Sequence, residues 1–245
     1  MIDLHCHYLP GIDDGAQTLD ESLDLARAAV QAGITAAVMT PHVHPGRYEN
    51  TASSITKLCT AFQHVLRHQN IPLSVYAGGE VRVSSDIMQM VEEEQIPFIG
   101  ELDGYQVMLL EFPHSHLVFG AEKLVSWLLA RHIRPLIAHP ERNKDVMRNI
   151  DKLRPFVEMG ALLQLTGASV IGQFGKPALQ CARQIIEREW VTVVATDSHN
   201  LQHRPPNLDL AYKALTEIGG EDFARGLTQE TPSRIVAGRS AAVGS

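Results

Sequence analysis

The chain has 245 residues, 44% of them hydrophobic, and carries 28 acidic against 21 basic side chains, for a net charge of −7. That length can bury a substantial core, and the acidic balance offers no global basic field to nucleic acid or an anionic membrane surface. Three widely separated cysteines, Cys6, Cys59 and Cys181, argue against a disulfide framework; with no basic-apolar leader and no apolar run of membrane-spanning length, a cytoplasmic location without membrane insertion is expected.

Short β-rich runs alternate with helical patterns. The predicted strands are Ile2–His7, Ala36–Thr40, Leu73–Gly78, Gln106–Glu111, Arg134–His139, Ala161–Leu165 and Val191–Thr196. Between the first two, Thr18 and Glu21 have capping-box spacing, Leu23, Ala26, Ala29 and Val30 follow, and Gly33 marks the stop. A later helix over Ala121–His132 carries Leu124, Val125, Leu128 and Leu129 on one face. Near the end, Thr231-Pro232 predicts the start of a short helix and Gly238 its end. Seven strands with helices between them imply parallel βα units, and a run such as "VTVVAT" is apolar throughout, as when both sheet faces are covered. The economical architecture is a single barrel-like α/β domain over residues 1–240, with residues 241–245 a loose tail.

In a βα barrel the chemistry gathers at the C-terminal ends of the strands. Those ends deliver His5 and His7, then His42, Glu80, Glu111, His139 with Arg142 just beyond it, and Asp197 with His199. The sixth strand brings only Gln164 and Thr166. Strand alternation puts His5 and His7 on one face and Cys6 on the other, packed under a helix; Asp197 and His199 share a face in the same way. The loop after the first strand adds Asp13 and Asp14 between Gly11 and Gly15, which let it turn sharply. Spacing alone does not choose between the two aspartates. Imidazoles and carboxylates without thiolates suit Mn²⁺, Fe²⁺ or Zn²⁺, and so many donors exceed one tetrahedral ion. Of the other histidines, His44 and His203 lie close enough to the mouth to reach a substrate. His64, His68, His114, His116 and His132 read as ordinary surface or half-buried residues.

Two close divalent ions activate water and clamp the oxygens of an in-line displacement. Arg142 follows His139 by three residues and Arg204 follows His199 by five; a guanidinium fork matches phosphate oxygens. Together these predict phosphate-ester hydrolysis. No cysteine is followed six positions later by arginine, and neither a G-x-S-x-G elbow nor a phosphate-binding P-loop is present.

The stretches "DLHCHYLPGIDDG", "TPHVHPGRYEN", "GGE", "LLEF", "AHPER" and "ATDSHNLQHRPP" resemble the polymerase-and-histidinol-phosphatase superfamily, most closely its bacterial tyrosine-protein phosphatase branch of CpsB/YwqE type. The resemblance runs from residue 2 to about residue 240, with "TPSRIVAG" similar to the family's closing helix. It implies a distorted (β/α)7 barrel with two or three ions, usually manganese, held by His5, His7, Asp14, His42, Glu80, Glu111, His139, Asp197 and His199. Asp14 rather than Asp13 comes from the family pattern. Arg142 and Arg204 would bind the phosphoryl group, with His44 bordering the substrate. The implied substrate is the phosphotyrosine-rich tail of a membrane-bound tyrosine autokinase controlling capsular or exopolysaccharide synthesis. The segment Val43-His44-Pro45 is less polar or basic than the family pattern, which bears on peptide preference and not on the metal site.

Three other readings compete. A TatD-like nuclease or an amidohydrolase also opens with H-x-H, but a lone aspartate on the last strand is usual there, and amidohydrolases commonly place a modified lysine where this chain has Glu111. A small-molecule phosphatase of the histidinol-phosphatase kind lacks the D-D-G and R-P-P features. A non-catalytic scaffold would not need two arginines at the mouth.

Overall fold

The structure is a computed structural model describing residues 1–239. Among the described residues ten strands form, β1 (Ile2–Cys6), β2 (Ala36–Met39), β3 (His42–Val43), β4 (Ser74–Ala77), β5 (Glu80–Arg82), β6 (Gly100–Leu102), β7 (Tyr105–Glu111), β8 (Ile133–Ala138), β9 (Leu162–Thr166) and β10 (Val193–Ala195). One sheet has the order β1-β2-β4 and the other β10-β9-β8-β7-β5-β3, and all of these pairings are parallel. The α/β class with parallel strands is therefore as expected. The residues 241–245 expected to form a loose tail lie outside the described residues.

Two predicted strands are broken. The run after Ala36 stops at Met39 and resumes as β3, because Pro41 has no N–H to give the ladder. The run after Leu73 breaks at Gly78-Gly79, where the chain passes so close to its neighbours that a Cβ would lie 2.6 Å from Val38 Cγ1 and 2.3 Å from Pro97 Cγ. These breaks carry β3 and β5 into the second sheet with His42 directly opposite Glu80 and Arg82 opposite Glu111. An antiparallel hairpin, β6 with β7, was not predicted. It turns at Asp103-Gly104, both at positive φ (53° and 79°), which the aspartate-glycine pair favours.

The first helix, Leu19–Gln31, is capped as its sequence suggests: the Thr18 side chain accepts from the Glu21 N–H, worth about 1 kcal/mol. The reciprocal bond differs, since the Glu21 carboxylate accepts from the Gln17 N–H at 2.7 Å. The helix after Gly120 spans Ala121–Leu129 and buries Ala121, Val125 and Leu128. The closing α-helix, Thr231–Val236, starts where expected, but it is not preceded by a loop. Helical turns run through Glu221–Arg225 and a π-helical stretch, Gly226–Glu230, into Thr231–Val236.

One core cluster lies between strands and helices and contains Cys6 with Cys59; Cys6 thus packs away from the polar strand ends, as expected. A second joins Leu4 and Val38 of the first sheet to Leu109, Leu136 and Val193 of the second, with Ile99, Ile235 and Val236. An extra residue in β1 between Asp3 and Cys6 shifts its register against β2, and such bulges re-aim side chains next to active sites. Beyond β1, the His7 N–H donates to Ser198 O (2.9 Å) and the Asp197 N–H to His5 O (2.8 Å). Asp3, buried and raised to about 6 by burial, accepts from the Thr196 N–H and hydroxyl. These bonds hold the two H-x-H and D-x-H segments side by side.

Candidate metal centre

The strand-end histidines and carboxylates meet in one place with Asp14 of the first loop. His7, Asp14, His42 and His199 form one group of donors, His5, His7 and Glu80 a second, His5, His139 and Asp197 a third, and His42, Glu80 and Glu111 a fourth, each with donor atoms within 4.8 Å of one another. The four groups contain the nine residues that the family resemblance picks out and no others.

Hydrogen bonds behind the rings fix which nitrogens face inward. Gln164 Oε1 takes a long bond from the His139 N–H (3.4 Å) and so is the oxygen; His5 Nδ1, 3.0 Å away, is therefore the donor. His7 Nδ1 donates to Asp13 Oδ2 at 2.7 Å, and His199 Nδ1 to the Asp197 carbonyl at 3.0 Å. In the neutral rings this leaves the Nε2 lone pairs of His5, His7 and His199 pointing into the site. There His5 and His7 face Asp197 Oδ1 (3.3 and 3.4 Å) and Glu80 Oε2 (3.4 and 3.6 Å), while His199 faces Asp14 Oδ1 (3.4 Å). Asp197 Oδ1 and His199 Nε2 are buried without a hydrogen-bond partner, and Glu80 Oε2, also buried, has His42 Nδ1 at 2.8 Å. Acceptors aimed at acceptors in a buried cavity need positive charge between them. The donor set and these orphaned atoms fit divalent ions.

The titration behaviour reports the same field. Burial opposes charge on His5, yet the Glu80 and Asp197 carboxylates raise it to about 9; burial likewise opposes charge on His42, which Glu80 and Asp14 raise to about 11. Burial and Arg142 depress His139 to about 4, and burial and His7 depress His199 to about 4. Glu111 is lifted to about 7 by burial and by the Glu80 charge. Two of the residues sit in strained backbone, His139 at φ 34° and Asp197 at φ 52°, as is common where surrounding structure holds a functional side chain in place.

The two arginines converge from different loops. Arg142 and Arg204 both donate to Asp197 Oδ2, the oxygen turned away from the histidines. Arg142 also lies over the Phe174 ring at 4.7 Å and beside His114 Nε2 at 3.4 Å. A cavity of about 220 Å³ opens here, lined by Asp14, Glu80, Glu111, Asp197 and both arginines, and on its rim by His44, Arg47, Tyr48, Arg82 and His114.

The two loop aspartates separate cleanly. Asp13 is buried and braces His7, the Gly15 N–H and the His42 N–H, whereas Asp14 faces His42 Nε2 at 3.1 Å and lies half exposed at the cavity edge. His44 lines the cavity, but His203 is exposed and belongs to a separate hollow behind His199 with Gln17, Glu21 and Asp24. His114, read from sequence as an ordinary residue, is instead on the rim, because the loop after Glu111 folds back over Arg142. His64, His68, His116 and His132 are exposed, away from it. Sequence reasoning missed Arg82, whose Nη1 pairs with Glu111 Oε1 at 2.9 Å. Its signal was present, two residues after Glu80 on the same strand face.

The family model for capsular polysaccharide synthesis proteins, CpsB/CapC, matches residues 1–237. The tyrosine-protein phosphatase YwqE of Bacillus subtilis strain 168 is 34% identical over 229 residues, 94% of this chain and 89% of its own. The tyrosine-protein phosphatase CpsB of Streptococcus agalactiae serotype III is 30% identical over 241 residues, 96% of this chain and 98% of its own. A solved structure from work on YwqE of Bacillus subtilis and CpsB of Streptococcus pneumoniae, described as unique metal-dependent tyrosine phosphatases, superposes with a TM-score of 0.90 at 33% identity, covering 98% of this chain and 96% of that one. The chain belongs to the CpsB/CapC family of capsular polysaccharide synthesis.

Proposed function

We propose that this protein is a metal-dependent protein-tyrosine phosphatase that removes phosphate from the tyrosine-rich tail of a membrane-bound autokinase governing capsular or exopolysaccharide synthesis. The observation that carries it is a nine-residue donor cluster, six of whose members line one cavity together with two arginines that share Asp197; the similarity to named tyrosine-protein phosphatases supports the substrate class.

In this reading His5, His7, Asp14, His42, Glu80, Glu111, His139, Asp197 and His199 hold two or three ions, manganese first, with iron or zinc also suited to nitrogen and oxygen donors. Bound there, such ions supply Lewis-acid polarisation and lower the pKa of water. The chain's own part is orientation and charge. Asp13 and Gln164 fix the His7 and His5 rings. Arg142 and Arg204 each commit one N–H to Asp197 and keep other donors for the non-bridging phosphoryl oxygens, where charge accumulates during transfer. A tyrosinate leaving group, with a pKa near 10, demands little proton donation, so no cavity group need act as general acid.

The same reading takes the two sheets as one distorted (β/α)7 barrel, closed where β1 meets the chain after β10, and residues 1–240 as one domain. No helix among the described residues is long and apolar enough to cross a membrane; the proposal places the protein in the cytoplasm, where the kinase tail lies. The test is phosphate release from phosphotyrosine peptide, phosphoserine peptide and histidinol phosphate, and nuclease activity on single-stranded DNA, each with Mn²⁺ and then with chelator. Chelator-sensitive release from phosphotyrosine alone is expected. Turnover only of histidinol phosphate, or only of DNA, would replace this reading by the corresponding rival.

A further inference from the structure

The cavity rim holds a cation that the chemistry above does not use. Of the four arginines lining it, Arg142 and Arg204 are paired with Asp197 and Arg82 with Glu111. Among the described residues no carboxylate lies within ion-pairing distance of the fourth, Arg47. Its guanidinium is exposed and lies 5.0 Å from the Tyr48 ring centroid.

Arg47 is held on a built turn, His44-Pro45-Gly46-Arg47-Tyr48. The His44 N–H donates to Tyr48 O (3.1 Å), and the Tyr48 and Arg47 N–H groups donate back to His44 O (2.8 and 2.9 Å). Gly46 takes φ +82° at the tip, and Glu49 accepts from its N–H at 2.6 Å. Asn50 pins the turn's base to the Ile12 and His42 carbonyls, and the Tyr48 ring stacks on His42 at 5.5 Å with 14° between the planes. The turn is thus anchored to the metal cradle itself. A positive group so fixed, beside a cavity proposed to take a phosphoryl group, lacks only an anion.

We infer that Arg47 forms a subsite for a second anionic group, a carboxylate or another phosphoryl, on the peptide next to the phosphotyrosine. The inference rests on the phosphotyrosine reading of the cavity. Arg47 acts as a specificity residue that strengthens peptide capture without touching the reacting phosphorus, so its effect falls on KM rather than kcat. An exposed ion pair of this kind changes affinity by roughly fivefold, and the gain fades at about 1 M salt, where screening acts within ~3 Å.

The experiment compares three fluorescent phosphotyrosine peptides, flanked by alanine, by glutamate or by a second phosphotyrosine, on manganese-loaded wild type, Arg47→Ala and Arg47→Lys. Binding is read by anisotropy and turnover by phosphate release, with p-nitrophenyl phosphate as a substrate that has no flank. The expected result is a roughly fivefold lower Kd and KM for either anionic flank on wild type, partly kept by lysine and lost with alanine, and unchanged p-nitrophenyl phosphate turnover. A gain for the doubly phosphorylated peptide alone would assign the subsite to phosphoryl, and for glutamate as well to anions at large. Equal binding of all three peptides by wild type, or an Arg47→Ala loss that is the same for every substrate, overturns the subsite. Flank discrimination in binding without any phosphotyrosine turnover would keep the subsite and overturn the phosphatase reading.

Discussion

His5 and His7 bring their Nε2 atoms to 3.1 Å of one another, with their Nδ1 hydrogens already committed to Gln164 and Asp13. Two lone pairs at that separation repel unless a positive charge lies between them and the Glu80 and Asp197 oxygens they also face. Without metal that charge is the proton that Glu80 and Asp197 hold on His5 up to about pH 9; a divalent ion would displace it and add its net binding free energy to stability. At a hundredfold excess over Kd the gain is about 2.7 kcal/mol, which for a chain of this size raises Tm by roughly 5–10 °C. Differential scanning calorimetry of chelator-stripped protein, before and after Mn²⁺, checks this; an unchanged Tm with Mn²⁺, Fe²⁺ and Zn²⁺ alike would refute it.

Arg142→Ala and Arg204→Ala are each expected to lower kcat/KM by about 10²–10³, the usual cost of removing one donor aimed at developing charge, while metal content stays as in wild type. Because both arginines meet the same oxygen of Asp197, their effects are coupled, and the double variant should lose less than the product of the two single losses. Steady-state kinetics beside elemental analysis decides this. Loss of metal in either single variant would show that the arginine holds Asp197 in place rather than the phosphoryl group.

How much of this was legible in the sequence follows from the ranges of the interactions. The strand-end histidines and carboxylates stood out because period-two alternation and the βα rhythm are local, and the His5–His7 pairing follows from them. Asp13 and Asp14 were indistinguishable, since adjacent acids on a turn have no periodicity; only folding gives one to His7 and the other to the cavity edge. Arg82 was readable by alternation from Glu80, and the β6–β7 hairpin by its Asp103-Gly104 turn. Pro41 was likewise a local sign of the break before β3, whereas the break that creates β5 depends on Val38 and Pro97 arriving from elsewhere in the chain. The π-helical stretch before Thr231 has no sequence signature comparable to a cap.

Gly15 shows a similar non-local constraint. It was expected to serve a sharp turn, but its φ is not left-handed; a Cβ there would lie 2.2 Å from His7 O and 2.6 Å from His7 Cβ. Gly11 is the reverse, at φ +71° with its nearest neighbour 3.6 Å away. Gly15→Ala must push the Asp13–Asp14 loop off His7, costing about 1–3 kcal/mol and loosening metal retention. Gly11→Ala should cost about 1–2 kcal/mol of backbone strain with full metal content. Urea unfolding paired with metal stoichiometry separates them; equal metal content in both variants would show that close packing at Gly15 does not shape the site.

The three cysteines should be silent in the native protein. All are buried and unpaired. Burial lifts Cys59 and Cys181 to about 12 and Cys6 well above its ordinary value. The thiolate is the reactive form, and a thiol titrating near 12 is only about 10⁻⁴ ionised at pH 8. Iodoacetamide should therefore leave native protein unmodified and add three groups after unfolding, as mass spectrometry would show. Stability carries the matching sign. The unfolded thiols release their protons near pH 9 while the folded ones hold theirs, so their contribution is whole below pH 9 and declines as pH rises toward 12. Urea unfolding at pH 8 and pH 10 should show a steeper alkaline loss in wild type than in a Cys59→Ala, Cys181→Ala variant. Equal slopes, or rapid labelling of any cysteine in the folded state, would contradict the buried, protonated state assigned to them.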